Sequence, residues 1–294
     1  AGVYDYYWGA WGNGSATNYN VSEMRSYTVN SSDLDYPLFS DFNETPPDNS
    51  QYSPGGVYRF NVTISNTNGT AGIEFNGFNY SASNFSSVFN VMVNDLAAGT
   101  YIYYWWAYGN GSMNNYNLSE TRNYIVAKAT PILTFLANSG NENLTVTYPQ
   151  EVNISARANA GTVGLDKNGE SYLLSNGLNV TLGAGSYIFR ANVTGNENYT
   201  DVGYSYYNIT INQSDSELNL TLNGTDGNIT IDTGFILVNV TMIKGEEGAT
   251  LRLYVNGEMV NEGNGNLSVI VLFDAIGLHN VTAFYSQSQN YSSS

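Results

Sequence analysis

Ala98-Gly-Thr-Tyr-Ile-Tyr-Tyr-Trp-Trp-Ala-Tyr108 is the stretch whose reading decides the fold. Successive residues of a strand face opposite sides, so Tyr101, Tyr103 and Trp105 share one face. Tyr104, Trp106 and Tyr108 share the other. Only one face can line a core. The second must be covered by a neighbouring domain, another chain or glycans, or form an exposed patch that binds something. Aromatic rings stack on sugars, so carbohydrate binding is one reading of Tyr104, Trp106 and Tyr108; intermolecular or glycan packing is the other.

The same motif opens the chain. Ala1-Gly-Val-Tyr-Asp-Tyr-Tyr-Trp8 parallels Ala98–Trp105, and Gly12-Asn-Gly-Ser15 parallels Gly109-Asn-Gly-Ser112. Asn18-Tyr-Asn-Val-Ser-Glu23 then matches Asn115-Tyr-Asn-Leu-Ser-Glu120, and Arg25-Ser-Tyr-Thr-Val29 matches Arg122-Asn-Tyr-Ile-Val126. Weaker copies begin at Ala184-Gly-Ser-Tyr-Ile-Phe189 and Ile276-Gly-Leu-His-Asn-Val281. Upstream of the last three copies stands an Asn-Gly pair: Asn76-Gly77, Asn168-Gly169 and Asn256-Gly257. Asn-Gly between alternating segments predicts a tight hairpin, because both residues tolerate positive φ.

Repeats of about 85–95 residues with about seven short strands predict an all-β chain of tandem immunoglobulin-like β-sandwich domains. Residues 1–33 read as the C-terminal hairpin of an incomplete domain. Residues 34–128 and 129–213 read as two domains, and 214–294 as a third lacking its last strand. Asn43–Gly56, with Pro46, Pro47 and Pro54, reads as a long loop. The incomplete ends leave two readings. Either the chain is a segment of a longer array, or Arg25–Asn30 donates a strand to a neighbour's open domain.

Composition supports strands. Of 294 residues, 42% are hydrophobic, enough for packed cores, but only 12% are charged, about half the usual share. Asn, Ser, Thr, Gly and Tyr supply the polar surface, a palette of pleats and turns. The formal charge of −16, with nine Lys plus Arg and no basic cluster, speaks against nucleic-acid binding and against an anionic membrane surface. Cysteine is absent, so each domain relies on its hydrophobic core without disulfides. The longest apolar runs, around Ile132–Ala137 and Val269–Phe273, are strand-length and far short of the ~20 residues needed to span a bilayer.

The sequence Ala-Gly-x-Tyr, an alternating strand, Gly-Asn-x-Asn-Tyr and a closing strand such as Ile209-Thr-Ile211 is most complete over Ala184–Asn212. It resembles the Ig-like repeat domains of bacterial and archaeal cell-surface proteins. The resemblance implies a β-sandwich, tandem arrangement and a role in surface structure or adhesion, in the extracellular space. The richness in sequons is similar to archaeal surface glycoproteins.

About two dozen Asn-x-Ser/Thr acceptors occur, where chance in this composition predicts about eight. They fall at Asn13, Asn20 and Asn30 in the first hairpin, and at Asn43, Asn61, Asn68, Asn79, Asn84, Asn110 and Asn117 in the next unit. The third unit holds Asn143, Asn153, Asn179, Asn192, Asn198, Asn208 and Asn212. The last holds Asn219, Asn223, Asn228, Asn239, Asn266, Asn280 and Asn290. Many enclose an apolar residue, as in Asn61-Val-Thr63. On a strand, Asn and hydroxyl then face solvent while the middle residue faces the core. N-linked glycans on many of these sites are expected, as a hydrated coat in place of charge.

Chemistry has little foothold. The one histidine, His279, follows an Ile-Gly-Leu turn and reads as a surface or turn residue; with no second His and no Cys, a Ser-His-Asp or Cys-His system lacks support. Most Asp and Glu are expected in loops, as in Glu246-Glu247 and Asp41/Glu44, with no pattern that buries two together for glycoside hydrolysis. No catalytic, cofactor-binding or metal residue is assigned. Calcium at the junctions Asp33-Leu-Asp35 and Asp215-Ser-Glu217, joined by Glu197 and Asp201, is the one cation hypothesis. The expectation is a non-enzymatic structural glycoprotein that self-associates as the shaft of a surface filament or stalk, or as a surface-layer element. The alternative is an adhesin or carbohydrate-binding module.

Overall fold

The computed structural model describes residues 1–30 and 33–294, and its regular secondary structure is strand apart from one short 3-10 turn, Leu173–Ser175. It divides into two compact units, 1–129 and 130–294.

The first unit opens with β1 (Gly2–Tyr6), β2 (Gly9–Trp11), β3 (Tyr19–Val21) and β4 (Arg25–Val29). β1 pairs antiparallel with β4, and β2 with β3. There follows a complete sandwich: β5 (Leu38–Thr45), β6 (Ser50–Gln51), β7 (Val57–Ser65), β8 (Thr67–Phe75), β9 (Phe78–Ser81), β10 (Ser83–Phe85), β11 (Val88–Asn94), β12 (Gly99–Gly109), β13 (Tyr116–Leu118) and β14 (Arg122–Ala127). One sheet runs β10-β11-β7-β5, the other β6-β14-β12-β8-β9 with β13 on β12. β6 and β14 run parallel while the other pairs are antiparallel. This is the two-sheet order of an immunoglobulin-like sandwich.

Alternation drives the packing. On β7, Tyr58, Phe60, Val62 and Ile64 are buried while Arg59, Asn61 and Thr63 are not. On β12, Tyr103, Trp105 and Ala107 are buried. Phe60 sits within 5.0–5.1 Å of the Phe75, Tyr103 and Tyr124 rings. The segment read as a long loop is partly strand: β5 continues to Thr45, which places Asp41 and Glu44 on a strand and not in a loop, and Ser50–Gln51 joins β14. The Asp48 carboxylate accepts from Ile125 N (2.6 Å) and Tyr124 Oη donates to Pro46 O (2.8 Å), so the prolines ride on the sheet edge.

The second unit carries two cores, one around Ile154, Phe189 and Ile209 and one around Val238, Leu253 and Tyr285. The first comprises β15 (Leu133–Ala137), β16 (Leu144–Thr147), β17 (Val152–Ala158), β18 (Thr162–Lys167), β19 (Glu170–Ser171), β20 (Asn179–Val180), β21 (Gly185–Thr194) and β22 (Val202–Asn212). Its sheets run β15-β17-β20 and β16-β22-β21-β18-β19, with β16 and β22 again parallel. The second comprises β23 (Glu217–Leu222), β24 (Thr225–Asp226), β25 (Gly234–Lys244), β26 (Thr250–Val255), β27 (Glu258–Asn264), β28 (Leu267–Phe273) and β29 (Val281–Tyr285). Its sheets run β24-β23-β25-β28 and β27-β26-β29. The chain is therefore a tandem array of immunoglobulin-like β-sandwiches.

The three Asn-Gly turns form as expected, with Asn φ of 49–53° and Gly φ of 88–91°. Two of these asparagines also brace the strand beyond their own hairpin. Asn168 Oδ1 accepts from Ile188 N, and Asn256 Oδ1 from Asn280 N (2.8 and 2.9 Å).

The Ala-Gly-x-Tyr repeat also has a physical reason. Tyr101 Oη donates to Ala97 O and Tyr187 Oη to Gly183 O, each at 2.8 Å. A tyrosine bonding back to the turn before its own strand is the corner that fixes entry into this strand of the fold. At the matching place in the last sandwich stands His279, whose Nε2 lies 2.9 Å from Ala275 O with its ring 5.0 Å from Phe273. The lone histidine occupies a structural corner.

Candidate glycan-bearing surface and its aromatic platform

The outward face of β12 is built by cross-strand register. Trp106 stands opposite Gly72, and Tyr104 opposite Glu74. On the far side of β8, Gly72 pairs with Ser81 and Glu74 with Asn79. A Cβ on Gly72 would overlap the Trp106 indole and Tyr80 O, so only glycine lets the ring lie across the strand. Trp106 Nε1 donates to Asn79 Oδ1 (3.1 Å), which fixes the ring's direction. Tyr108 packs 6.3 Å from Trp106 and 5.2 Å from Tyr116. Burial, then the neighbouring Glu74 carboxylate, pushes the Tyr104 hydroxyl's pKa up. Tyr104, Trp106 and Tyr108 thus form one patch, half-buried at its first two members and exposed at Tyr108.

N-linked sugar attaches to Nδ2, so the bonds of each side-chain amide sort the sequons. Asn61, Asn192, Asn219 and Asn239 lie half-exposed on strands, with the residue after each turned inward or packed against the core. Asn13, Asn43, Asn110, Asn208, Asn212, Asn228 and Asn280 are exposed. Asn20, Asn79, Asn143, Asn223, Asn239 and Asn266 use Oδ1 as an acceptor, which leaves Nδ2 for a glycan. Asn179 likewise accepts from Asn153. Five sites commit Nδ2 itself. Asn68 donates to Asn114 Oδ1, Asn84 to Ser86 O, Asn117 to Pro37 O and Asn153 to both Gly177 O and Asn179 Oδ1. The fifth is Asn290, only 9% exposed, whose Oδ1 accepts from Ala184 N (2.8 Å) while Nδ2 donates to Glu246 Oε1 (3.0 Å). Asn290 departs from the outward-facing expectation because it clasps the two sandwiches of its unit, with Tyr291 edge-on to Tyr148 at 5.5 Å. Asn198 is half-exposed. Asn30 is exposed, but the rest of its sequon, residues 31 and 32, lies outside the described residues.

Two of the candidate calcium ligands accept hydrogen bonds within the fold. Asp33 accepts from Met113 N (2.7 Å) and Asp35 N (3.0 Å), and these backbone bonds hold its carboxyl below the usual range. Asp215 Oδ1 accepts from Ser292 Oγ at 3.3 Å. Among the described residues no three His, Asp or Glu side chains cluster as a metal site, and no helix is long and apolar enough to cross a membrane. Ion pairs among the described residues are three, Arg122–Glu120, Arg190–Asp166 and Arg252–Glu262 at 2.6–2.7 Å. Such surface pairs are worth about 0–1 kcal/mol each, so the polar exterior rests mainly on amides and hydroxyls.

No protein-family model and no curated protein matches the chain. Among solved structures, it is similar to the fibronectin(III)-like modules of Clostridium thermocellum CbhA, at 12% identity over 60% of this chain and 95% of that one, with a TM-score of 0.26. The I9–I11 tandem of titin gives 12% identity, 80% and 90% coverage and a TM-score of 0.25. SGBP-B of a Bacteroides ovatus mixed-linkage glucan utilization locus, solved with a mixed-linkage heptasaccharide, gives 15%, 93% and 75%, and 0.20.

Proposed function

We propose that this chain is a structural extracellular glycoprotein, an array of rigid sandwiches that serves as a shaft or surface-layer element and self-associates laterally or axially. The observation that carries the reading is the sorting of the sequons. All but Asn290 sit on exposed or half-exposed positions, while Val62, Val193, Ile209, Val240 and Leu267, each the middle residue of a sequon, are buried in the cores. An exterior with few charges needs another source of hydration, and a glycan coat supplies it. In this reading the chain is not an enzyme, and its exposed carboxylates solvate the surface. Repeated domains give length. The aromatic pairs Trp11–Tyr19 (4.6 Å) and Tyr108–Tyr116 recur at equivalent positions and offer contacts along a fibre.

Negative-stain microscopy of native material tests this: regular fibres or a lattice are expected, and isolated rods that bind free glycans would contradict it. The second reading, an adhesin or carbohydrate-binding module, draws on the Trp106 patch. A glycan array probed with deglycosylated protein separates the two.

A further inference from the structure

We infer that the Trp106 platform is the seat of the chain's own glycan at Asn79, whose first pyranose stacks on the indole. The inference rests on the glycoprotein reading and adds a specific contact to it. Asn79-Tyr80-Ser81 is a sequon on β9, and both Asn79 and Ser81 are exposed. Asn79 and Trp106 are joined by Nε1–H···Oδ1, the amide oxygen being the atom that glycosylation leaves in place. Nδ2 of the same amide makes no bond among the described residues, so a sugar grows from within a few ångströms of the ring edge. Gly72 lets the ring lie on the sheet with its other face outward. The C–H face of a pyranose carries slight positive charge and meets the electron-rich ring face, as an aromatic edge does. Glu74, opposite both Asn79 and Tyr104, accepts from Gly77 N through Oε1 and turns its second carboxylate oxygen to sugar hydroxyls at the rim.

The second sandwich supports the same occupant independently. There Asn192 on β21 stands opposite Gly164 on β18, and a Cβ on Gly164 would overlap the Asn192 side-chain oxygen. Asn192 is itself a sequon asparagine, at the strand position matching Trp106. Each complete sandwich therefore has a glycine-backed notch on this face. One notch carries the acceptor directly, the other an indole bonded to the acceptor next door.

The test uses chain secreted from an N-glycosylating host. Ser81→Ala abolishes the sequon while leaving Asn79 and its bond to Trp106 in place. Loss of the stacked sugar should lower the melting temperature of this sandwich by roughly 4 °C, the size expected for one aromatic-type contact in a small domain. In a Trp106→Ala background the same change should cost less than roughly 1 °C, and Trp106→Phe, which keeps a flat ring, should restore part of the coupling. In a Trp8→Phe/Trp11→Phe background, acrylamide quenching of Trp106 should rise roughly two-fold on Ser81→Ala as one indole face is uncovered. An equal cost of Ser81→Ala with the indole present and in the Trp106→Ala background would overturn the inference. So would protection of Trp106 that persists without the glycan and grows with protein concentration, which would place a second copy on the face. Asn79 left bare in a chain glycosylated elsewhere would overturn the inference alone; a chain bare at every sequon would remove the glycoprotein reading with it.

Discussion

Residues 1–30 and 98–127 share 19 of 30 residues and lie in two environments. The local structure is the same. Gly2 pairs with Val29 and Tyr6 with Arg25, as Gly99 pairs with Val126 and Tyr103 with Arg122. Ser22 Oγ accepts from Trp8 N at 2.9 Å, and Ser119 Oγ from Trp105 N at 2.9 Å. Gly12 N donates to Asn18 O and Gly109 N to Asn115 O. Burial differs completely: Trp8 is 76% exposed and Trp105 0%, Tyr27 64% and Tyr124 1%. Pairing, turn and side-chain brace are encoded within thirty or so residues, whereas the core is made by the facing sheet of β5, β7, β10 and β11. A hairpin's shape is thus a local property, and its hydrophobic stabilisation is not.

Truncating the equivalent tryptophans should break the pair apart most widely. Trp105→Ala should cost the first sandwich about 3–5 kcal/mol, the range for deleting a large buried aromatic, while Trp8→Ala should stay within about 0.5 kcal/mol. Urea denaturation followed by circular dichroism measures both. Equal effects would mean that the two hairpins share one environment.

Alkali should sharpen the contrast next. Burial, with the nearby Tyr58, Asp48 and Glu44 adding to it, pushes the Tyr124 pKa up to about 12. Burial and the hydrogen bond to Glu44 push Tyr103 up as well. Both folded values lie above the ~10 of an unfolded tyrosine, so the fold favours the neutral phenols. Their contribution is complete below about pH 10 and is lost as pH rises through the folded values. The first sandwich should lose stability from about pH 10 to about pH 12, and Tyr124→Phe should flatten that fall in a pH series of melting curves. An unchanged slope would show that another group governs alkaline unfolding.

The corner tyrosines give a smaller effect. Tyr101→Phe and Tyr187→Phe each remove one hydrogen bond to the turn and should cost about 1 kcal/mol. Tyr4→Phe, at the same place in the exposed hairpin, should cost less than either, because Tyr4 is 58% exposed and any bond its hydroxyl makes competes with water. Ser119→Ala against Ser22→Ala should differ by less again, about 1 kcal/mol against a few tenths, since the identical bond is shielded from water in only one copy. Thermal melts of each pair decide the order.

The same split explains how far sequence reading reached. Period-two alternation, the repeat and the Asn-Gly turns are local, and they led directly to tandem sandwiches and to the two-faced strand at Tyr101–Tyr108. The corner role of His279 was hidden because histidine stands where the three other copies have tyrosine, and only the 2.9 Å approach to Ala275 O reveals it. Asn290 read as one more acceptor because its partners, Ala184 and Glu246, lie 106 and 44 residues away. Asp33 read as a candidate calcium ligand with no sign of its backbone partner, because the donor Met113 is 80 residues distant. The Trp106–Asn79 pairing depends on register across two strands and on Gly72, which no single segment displays.

Site-resolved glycopeptide mass spectrometry of secreted, folded chain tests the central claim most directly, because amide geometry then becomes a map of occupancy. Sugar is expected at outward acceptors with an uncommitted Nδ2, such as Asn61, Asn79, Asn192 and Asn239, with Asn290 bare and Asn153 sparse. Occupancy at Asn290 equal to that at Asn61, or bare peptide at all of them, would contradict the account.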